Sequence, residues 1–183
     1  SFTRTYNSLG GYVSPFGTNW DHSLNIMLLK TFDSTGAETG VLYKAGDGAI
    51  YTFSKNADGT YTRPAGLYAE LTINSDGLYT LTYKDKTVYT FNESNQIASI
   101  SDNIGDTTEF VYNARGNLIS VSNSLGDELT LAYYTTPGKA DLIERVTAGG
   151  VTCDYVYDDN KRLIKAQKPV ENSNNWITEE YTY

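Results

Sequence analysis

Cysteine, methionine and histidine each occur once in this chain, and proline four times in 183 residues. A single cysteine, Cys153, excludes an intrachain disulfide. Its neighbours Thr152, Asp154 and Tyr155 read as strand positions, so it is expected as a small packed residue rather than a reactive thiol. A single histidine, His22, excludes a histidine-rich metal site, and any Ser-His-Asp or Cys-His arrangement would have to use it. Asp21 and His22 are adjacent, and in an extended chain they point to opposite faces, so His22 is expected to be structural. Positive charge is also scarce: 14 Lys and Arg against 22 Asp and Glu give a net charge of −8, with no basic cluster. That balance argues against nucleic acid as a partner and against adsorption to anionic membranes. The longest apolar candidate, Ile26-Met27-Leu28-Leu29, is far shorter than the ~18 residues a spanning helix needs. No Gly-x-Ser-x-Gly or comparable nucleophile motif is present.

What the chain does have is 16 tyrosines and 16 glycines, a composition suited to short strands and tight turns with almost no helix. Phe2 to Ser8 reads as a strand, followed by Gly10-Gly11 and then Phe16-Gly17-Thr18-Asn19-Trp20, where Gly17 would let Phe16 and Trp20 pack together. Leu24, Ile26 and Leu28 alternate as one buried face of a strand, and Thr31 to Gly40 reads as a polar turn. Alternating runs then recur at Val41 to Tyr43, Ile50 to Phe53, Leu71/Ile73, Tyr79/Leu81/Tyr83 and Tyr89/Phe91. Turns at Gly46-Asp47-Gly48, Asp58-Gly59, Asp76-Gly77 and Asp85-Lys86 separate them, a hairpin grammar. Arg63-Pro64-Ala65-Gly66 breaks the alternation and is expected as a long loop.

From Phe91 a repeat takes over. Phe91, Tyr112 and Tyr133 stand at 21-residue intervals, and Tyr157 follows after 24. Six positions after an anchor stand Ile97, Leu118 and Leu163; after Tyr133 the insertion Pro137-Gly138 delays the aliphatic residue to Leu142. Gly116 and Gly126 mark the two turns of the most regular unit. A period near 20 residues indicates supersecondary units that stack because none buries its apolar face alone. Ile97/Ile100 and Leu118/Val121 lie three apart, which in a flat strand puts them on opposite faces; a bulge or strong twist would reconcile them. Pro169 to Asn175 reads as an extended surface loop before Trp176, and Tyr181-Thr182-Tyr183 as a strand end in mid-repeat. With no Met at its start and no visible leader, the sequence reads as a piece of a longer chain.

Candidate chemistry is thin. The 22 acidic residues make some carboxylate pair inevitable without any motif for glycoside hydrolysis. Asp102-Asn103-Ile104-Gly105-Asp106 has the start of a calcium loop but lacks the later ligands, and turn chemistry explains it better. No cofactor and no metal are expected. Trp176, beside an Asn-rich loop, and Tyr181 are the candidates for stacking on a sugar ring.

Two sets of residues resemble a known family. Arg4, Tyr6, Asn7, Ser8, Phe16, Gly17, Trp20, Asp21 and His22 resemble the opening of the domain that precedes Rhs repeats. Tyr112, Gly116, Leu118, Gly126, Tyr133, Tyr157, Asp158 and Leu163 resemble the YD-repeat of the same Rhs family. The resemblance implies an all-β fold: an antiparallel hairpin meander, a curved β-sheet ribbon of about 21-residue units, part of a spiralling shell. It divides the chain into a pre-repeat β-domain at 1–90 and repeats at 91–183. It further implies a non-enzymatic structural module of a secreted or cell-surface bacterial protein, whose shell encloses or presents a C-terminal toxin. The partners implied are further repeats and the toxin domain of the parent chain. A carbohydrate-binding or self-associating surface module is the alternative.

Overall fold

The computed structural model describes residues 2–9, 11–170 and 175–183, and every regular element among them is a β-strand. Two short antiparallel pairs lie near the N-terminus: β1 (Arg4–Tyr6) with β4 (Trp20–His22), and β2 (Val13–Ser14) with β3 (Gly17–Thr18). A four-stranded meander follows, made of β5 (Met27–Phe32), β6 (Glu38–Lys44), β7 (Ile50–Lys55) and β8 (Tyr61–Thr62). Eleven further strands form one sheet in chain order. They are β9 (Ala69–Ile73), β10 (Tyr79–Tyr83), β11 (Val88–Phe91), β12 (Ile97–Ser101), β13 (Thr107–Tyr112) and β14 (Leu118–Asn123). The last five are β15 (Glu128–Tyr133), β16 (Ile143–Ala148), β17 (Val151–Tyr157), β18 (Leu163–Pro169) and β19 (Trp176–Glu180). The expected all-β antiparallel meander is therefore what the sequence forms.

Two compact units divide the chain, one of Ser23–Phe110 with Phe2, the other of Thr3–His22 with Val111–Tyr183. The first has its core at Leu28, Val41, Tyr43, Phe53, Leu71, Leu81, Phe91 and Ile97, all 2% exposed or less. The second is built on Phe16, Ile143, Tyr155, Tyr157, Leu163 and Ala166. Most of these alternate along their strands, such as Val41/Tyr43 and Tyr155/Tyr157, because successive side chains of a strand leave on opposite faces.

Several local expectations shift. The opening strand is only Arg4–Tyr6, and the strand expected from Leu24 begins at Met27, although Ile26 and Leu28 are both buried. Thr31 to Gly40 is not all turn: β5 runs on to Phe32 and β6 resumes at Glu38, with an Asp33 carboxylate organising the turn between through the Thr35 and Ala37 N–H groups. Tyr181 to Tyr183 lies beyond the end of the last strand, although the Tyr181 N–H still donates to the Ile164 carbonyl. Of the loop expected at Pro169 to Asn175, residues 171–174 lie outside the described residues, as does Gly10; Pro169 itself pairs with Trp176 across β18 and β19.

The three-apart aliphatic pairs have a local cause. Thr90 pairs with Ser99 but Phe91 with Ile97, so Ala98 is an extra residue in β12. In the same way Glu144 is extra opposite Ala132/Tyr133, and Ile164 opposite Val156/Tyr157. An extra residue after the first aliphatic position returns the third following residue to the same face. Hence Ile143/Val146 and Leu163/Ala166 are all buried, three apart, with Leu118/Val121 buried in the same spacing. The register also corrects one assignment: the partner of Tyr133 is Ile143, not Leu142, although both are buried. That unit has a longer first loop and a shorter second turn, a two-residue Gly149-Gly150 hairpin with φ of 55° and 76°. Only glycine adopts such a pair of left-handed angles without strain.

Candidate functional site

Three anchor tyrosines repeat one hydrogen bond. The hydroxyl of Tyr133 donates to the Leu118 carbonyl at 2.7 Å, that of Tyr157 to Ile143 at 2.9 Å, and that of Tyr183 to Leu163 at 2.6 Å. Each acceptor is the aliphatic residue that opens the preceding strand. A tyrosine ring therefore fills the apolar face while its hydroxyl ties one unit's backbone to the next, which phenylalanine cannot do. Burial raises the pKa of Tyr133 and Tyr157 well above the ordinary phenol range, which keeps both as donors.

The residue after the anchor organises the turn. The Oδ1 of Asp158 accepts the N–H groups of Asn160 and Arg162, both at 2.9 Å. Asn113 accepts from Arg115 and Asn117, and Asn92 from Ser94 and Gln96, at 2.9–3.0 Å. Gly116, Asn95 and Lys161 hold the left-handed position of these turns, at φ of 81°, 61° and 59°. The Tyr-Asp pair thus couples an inter-unit tie to a turn that caps its own chain reversal. Partial burial works against the Asp158 charge, but the Arg162 N–H and guanidinium overcome it and hold the carboxyl below its usual pKa.

The N-terminal motif residues meet this ladder within the second unit. Phe16 is fully buried, edge-on to Tyr155 with ring centroids 4.6 Å apart. Trp20 stands edge-on to Tyr181 at 4.8 Å, and its indole N–H donates to the Tyr183 hydroxyl at 2.6 Å. A continuous relay results, from Trp20 through Tyr183 to the Leu163 carbonyl. Tyr6 lies against both Trp20 and Tyr183, at 5.2 Å and 5.7 Å. Arg4 pairs with Glu179 at 2.8 Å and lies over the Tyr155 ring. Asn7 donates its N–H to the Asn19 carbonyl, and Gly17, at φ 95°, lies so close to the Lys161 carbonyl that a Cβ would collide with it. The Pro15 carbonyl accepts the Ile143 N–H at 2.7 Å. Thus Phe16 and Trp20 are each docked on a tyrosine more than 130 residues away, a long-range pairing that no local pattern announces.

His22 is 4% exposed on β4, where its N–H bonds the Asp21 carboxylate. Gly126, at φ 89°, is the left-handed residue of the turn whose Asn123 Oδ1 accepts from Leu125 and Asp127. Of the two sugar-stacking candidates, Trp176 is 49% exposed on β19, whereas Tyr181 packs on Trp20 and donates to Glu179 at 2.7 Å. The structure does not bring them into one site. Tyr183 was missed as an anchor because the Pro169 insertion moves it out of the 21-residue phase. Among the described residues no group of three or more His, Cys, Asp or Glu side chains could hold a metal ion, and no helix is long and apolar enough to cross a membrane.

A strand opened by an aliphatic residue, an anchor tyrosine tied back to it and an Asp or Asn turn make up the repeat of this chain, and its resemblance to the Rhs/YD-repeat family is supported by the known proteins it is similar to. Residues 1–53 match the family described as Domain of unknown function (DUF6531). The chain is similar to the tRNA nuclease WapA of Bacillus subtilis strain 168, with 34% identity across 99% of this chain and 8% of the relative. The tRNA(Glu)-specific nuclease WapA of Bacillus subtilis subsp. natto matches at 30% identity over 52% of this chain and 5% of its own length. The chain therefore spans less than a tenth of the curated relatives it matches. Among solved structures, TcdB2-TccC3 without its hypervariable C-terminal region is similar with a TM-score of 0.46 and 17% identity, over 84% of this chain and 9% of that one. The Photorhabdus luminescens Tc holotoxin pore matches with the same TM-score, identity and coverage.

Proposed function

We propose that the chain is a structural β-repeat module of a larger secreted or cell-surface bacterial toxin protein, with a pre-repeat region at 1–90 and repeats at 91–183. Its role is to build the wall that encloses or presents a C-terminal effector, and it performs no chemistry itself. The observation that carries this reading is where the motif residues spend their polar groups. The hydroxyls of Tyr133, Tyr157 and Tyr183, the Trp20 N–H and the Asp158 carboxylate all bond within the chain, so these polar groups of the motif are spent on scaffolding. The similarity to WapA nucleases supports a toxin as parent.

The test compares a full-length parent with one lacking these 183 residues, in delivery to target cells and in nuclease activity of the separately purified effector. Loss of delivery with the effector's turnover unchanged is expected. If the isolated chain itself degrades tRNA, or if the deletion leaves delivery intact, the reading is wrong.

A further inference from the structure

The loop after β8 and the turn after β10 build an open cleft of about 470 Å³ in the first unit, lined by Arg63, Tyr68, Glu70, Tyr83, Lys84 and Lys86 among others. Its size lies in the range of small-ligand sites. In a chain of net charge −8, three cations converge here against one carboxylate. Among the described residues no carboxylate pairs with Arg63, Lys84 or Lys86, whereas Arg4, Lys30, Lys55 and Arg145 each have one. Tyr68 is 67% exposed and the Arg63 guanidinium lies over its ring at 5.2 Å. The Tyr83 hydroxyl is already bonded to Tyr43 at 3.0 Å, so Tyr83 offers ring surface rather than its polar tip. Lys86 sits at φ 73°, where the equivalent turns at 77, 105 and 126 have glycine. A lysine is disfavoured in that conformation, and Lys161 holds the same position in a turn outside the cleft.

We propose that this cleft binds an acidic sugar: a glycan unit whose carboxylate or phosphate lies between Lys84 and Lys86 while its ring packs against Tyr68. Aromatic rings supply apolar area with a polar rim, and unpaired cations supply the charge complement. A long polyanion such as nucleic acid fits less well, because the chain as a whole carries a net charge of −8 and has no further basic cluster to follow the backbone. The site is separate from Trp176 and Tyr181, and it does not depend on the scaffold reading above.

The test is calorimetric titration of the whole chain with a galacturonate oligomer, a phosphorylated mannan oligomer, an unmodified mannan oligomer and a single-stranded DNA oligomer. Saturable binding of one or both acidic glycans, weakened by salt and absent for neutral mannan, is expected, and the two acidic probes separate carboxylate from phosphate. The pair Lys84→Ser with Lys86→Gly, which relieves rather than adds backbone strain, should weaken binding about tenfold, and Tyr68→Ser by a comparable factor. Lys168→Ser, outside the cleft, should leave affinity unchanged. Failure of both acidic glycans to bind, equal binding of DNA, or full affinity in the cleft variants would overturn the proposal. Circular dichroism of each variant separates lost binding from lost fold.

Discussion

Replacing Tyr157 with Phe removes one oxygen and keeps the ring, and so isolates the inter-unit tie from the packing around it. Tyr157 is 1% exposed and its hydroxyl donates to the Ile143 carbonyl at 2.9 Å. Losing a buried donor costs about 1–2 kcal/mol once the stranded carbonyl is included. For a chain of this size each kcal/mol moves the midpoint by about 2–4 °C, so the variant should melt about 2–8 °C lower. Tyr183→Phe breaks the tie to Leu163 and also removes the acceptor of the buried Trp20 N–H; Tyr183 is 49% exposed, so water replaces part of what is lost, and about 1–2 kcal/mol is expected. Tyr68→Phe, at 67% exposure, should change stability by less than about 0.5 kcal/mol. Urea unfolding followed by tryptophan fluorescence, with calorimetric melting beside it, measures all three. If Tyr157→Phe matches the parent sequence, or if Tyr68→Phe costs as much, the hydroxyl tie is not what holds successive units together.

Gly17→Ala places a Cβ against the Lys161 carbonyl at a left-handed φ, and should cost about 2–4 kcal/mol; Gly126→Ala, with open space around its Cβ, should cost about 1 kcal/mol in the same unfolding assay. At acid pH the sign follows from lowered carboxylate pKa values at Asp33, Asp58, Asp85 and Asp158. Their contribution is present above the unfolded carboxylate pKa of about 4 and is lost as pH falls through the lower folded values. Asp158→Asn keeps the turn acceptor and should flatten that part of the acid melting profile. At alkaline pH the sign reverses. Burial and bonding to Glu179 push Tyr181 up to about 12, and burial raises Tyr133 and Tyr157 as well. Stability is then intact below the ordinary phenol pKa of about 10 and falls above it. Spectrophotometric titration should show Tyr133 and Tyr157 ionising together with unfolding.

Much of the fold is legible in the sequence because its signals are local. Asp-Gly and Asn-x-x-Gly turns stand between alternating runs, and each of those turns closes where its side-chain oxygen and left-handed residue direct. The repeat at Phe91, Tyr112 and Tyr133 is equally plain. What escapes is whatever depends on pairing across the chain. The aliphatic spacing of three needs the register to reveal a bulge, and the same register moves the partner of Tyr133 from Leu142 to Ile143. Docking of Phe16 on Tyr155 and of Trp20 on Tyr181 joins residues from opposite ends of the sequence, beyond any periodic pattern. The cleft at Arg63 and Lys86 is likewise invisible in one dimension. Its cations come from two separate loops, and the sequence contains no basic run to mark them.

The most direct measurement of the wall role is the rate at which protease releases the effector domain from a full-length parent carrying Tyr157→Phe. The expected result is release faster by about fivefold to thirtyfold, in step with about 1–2 kcal/mol of lost wall stability, with the freed effector retaining its full turnover. An unchanged release rate in a parent whose repeat segment melts at lower temperature would contradict the role of this segment as the effector's enclosure.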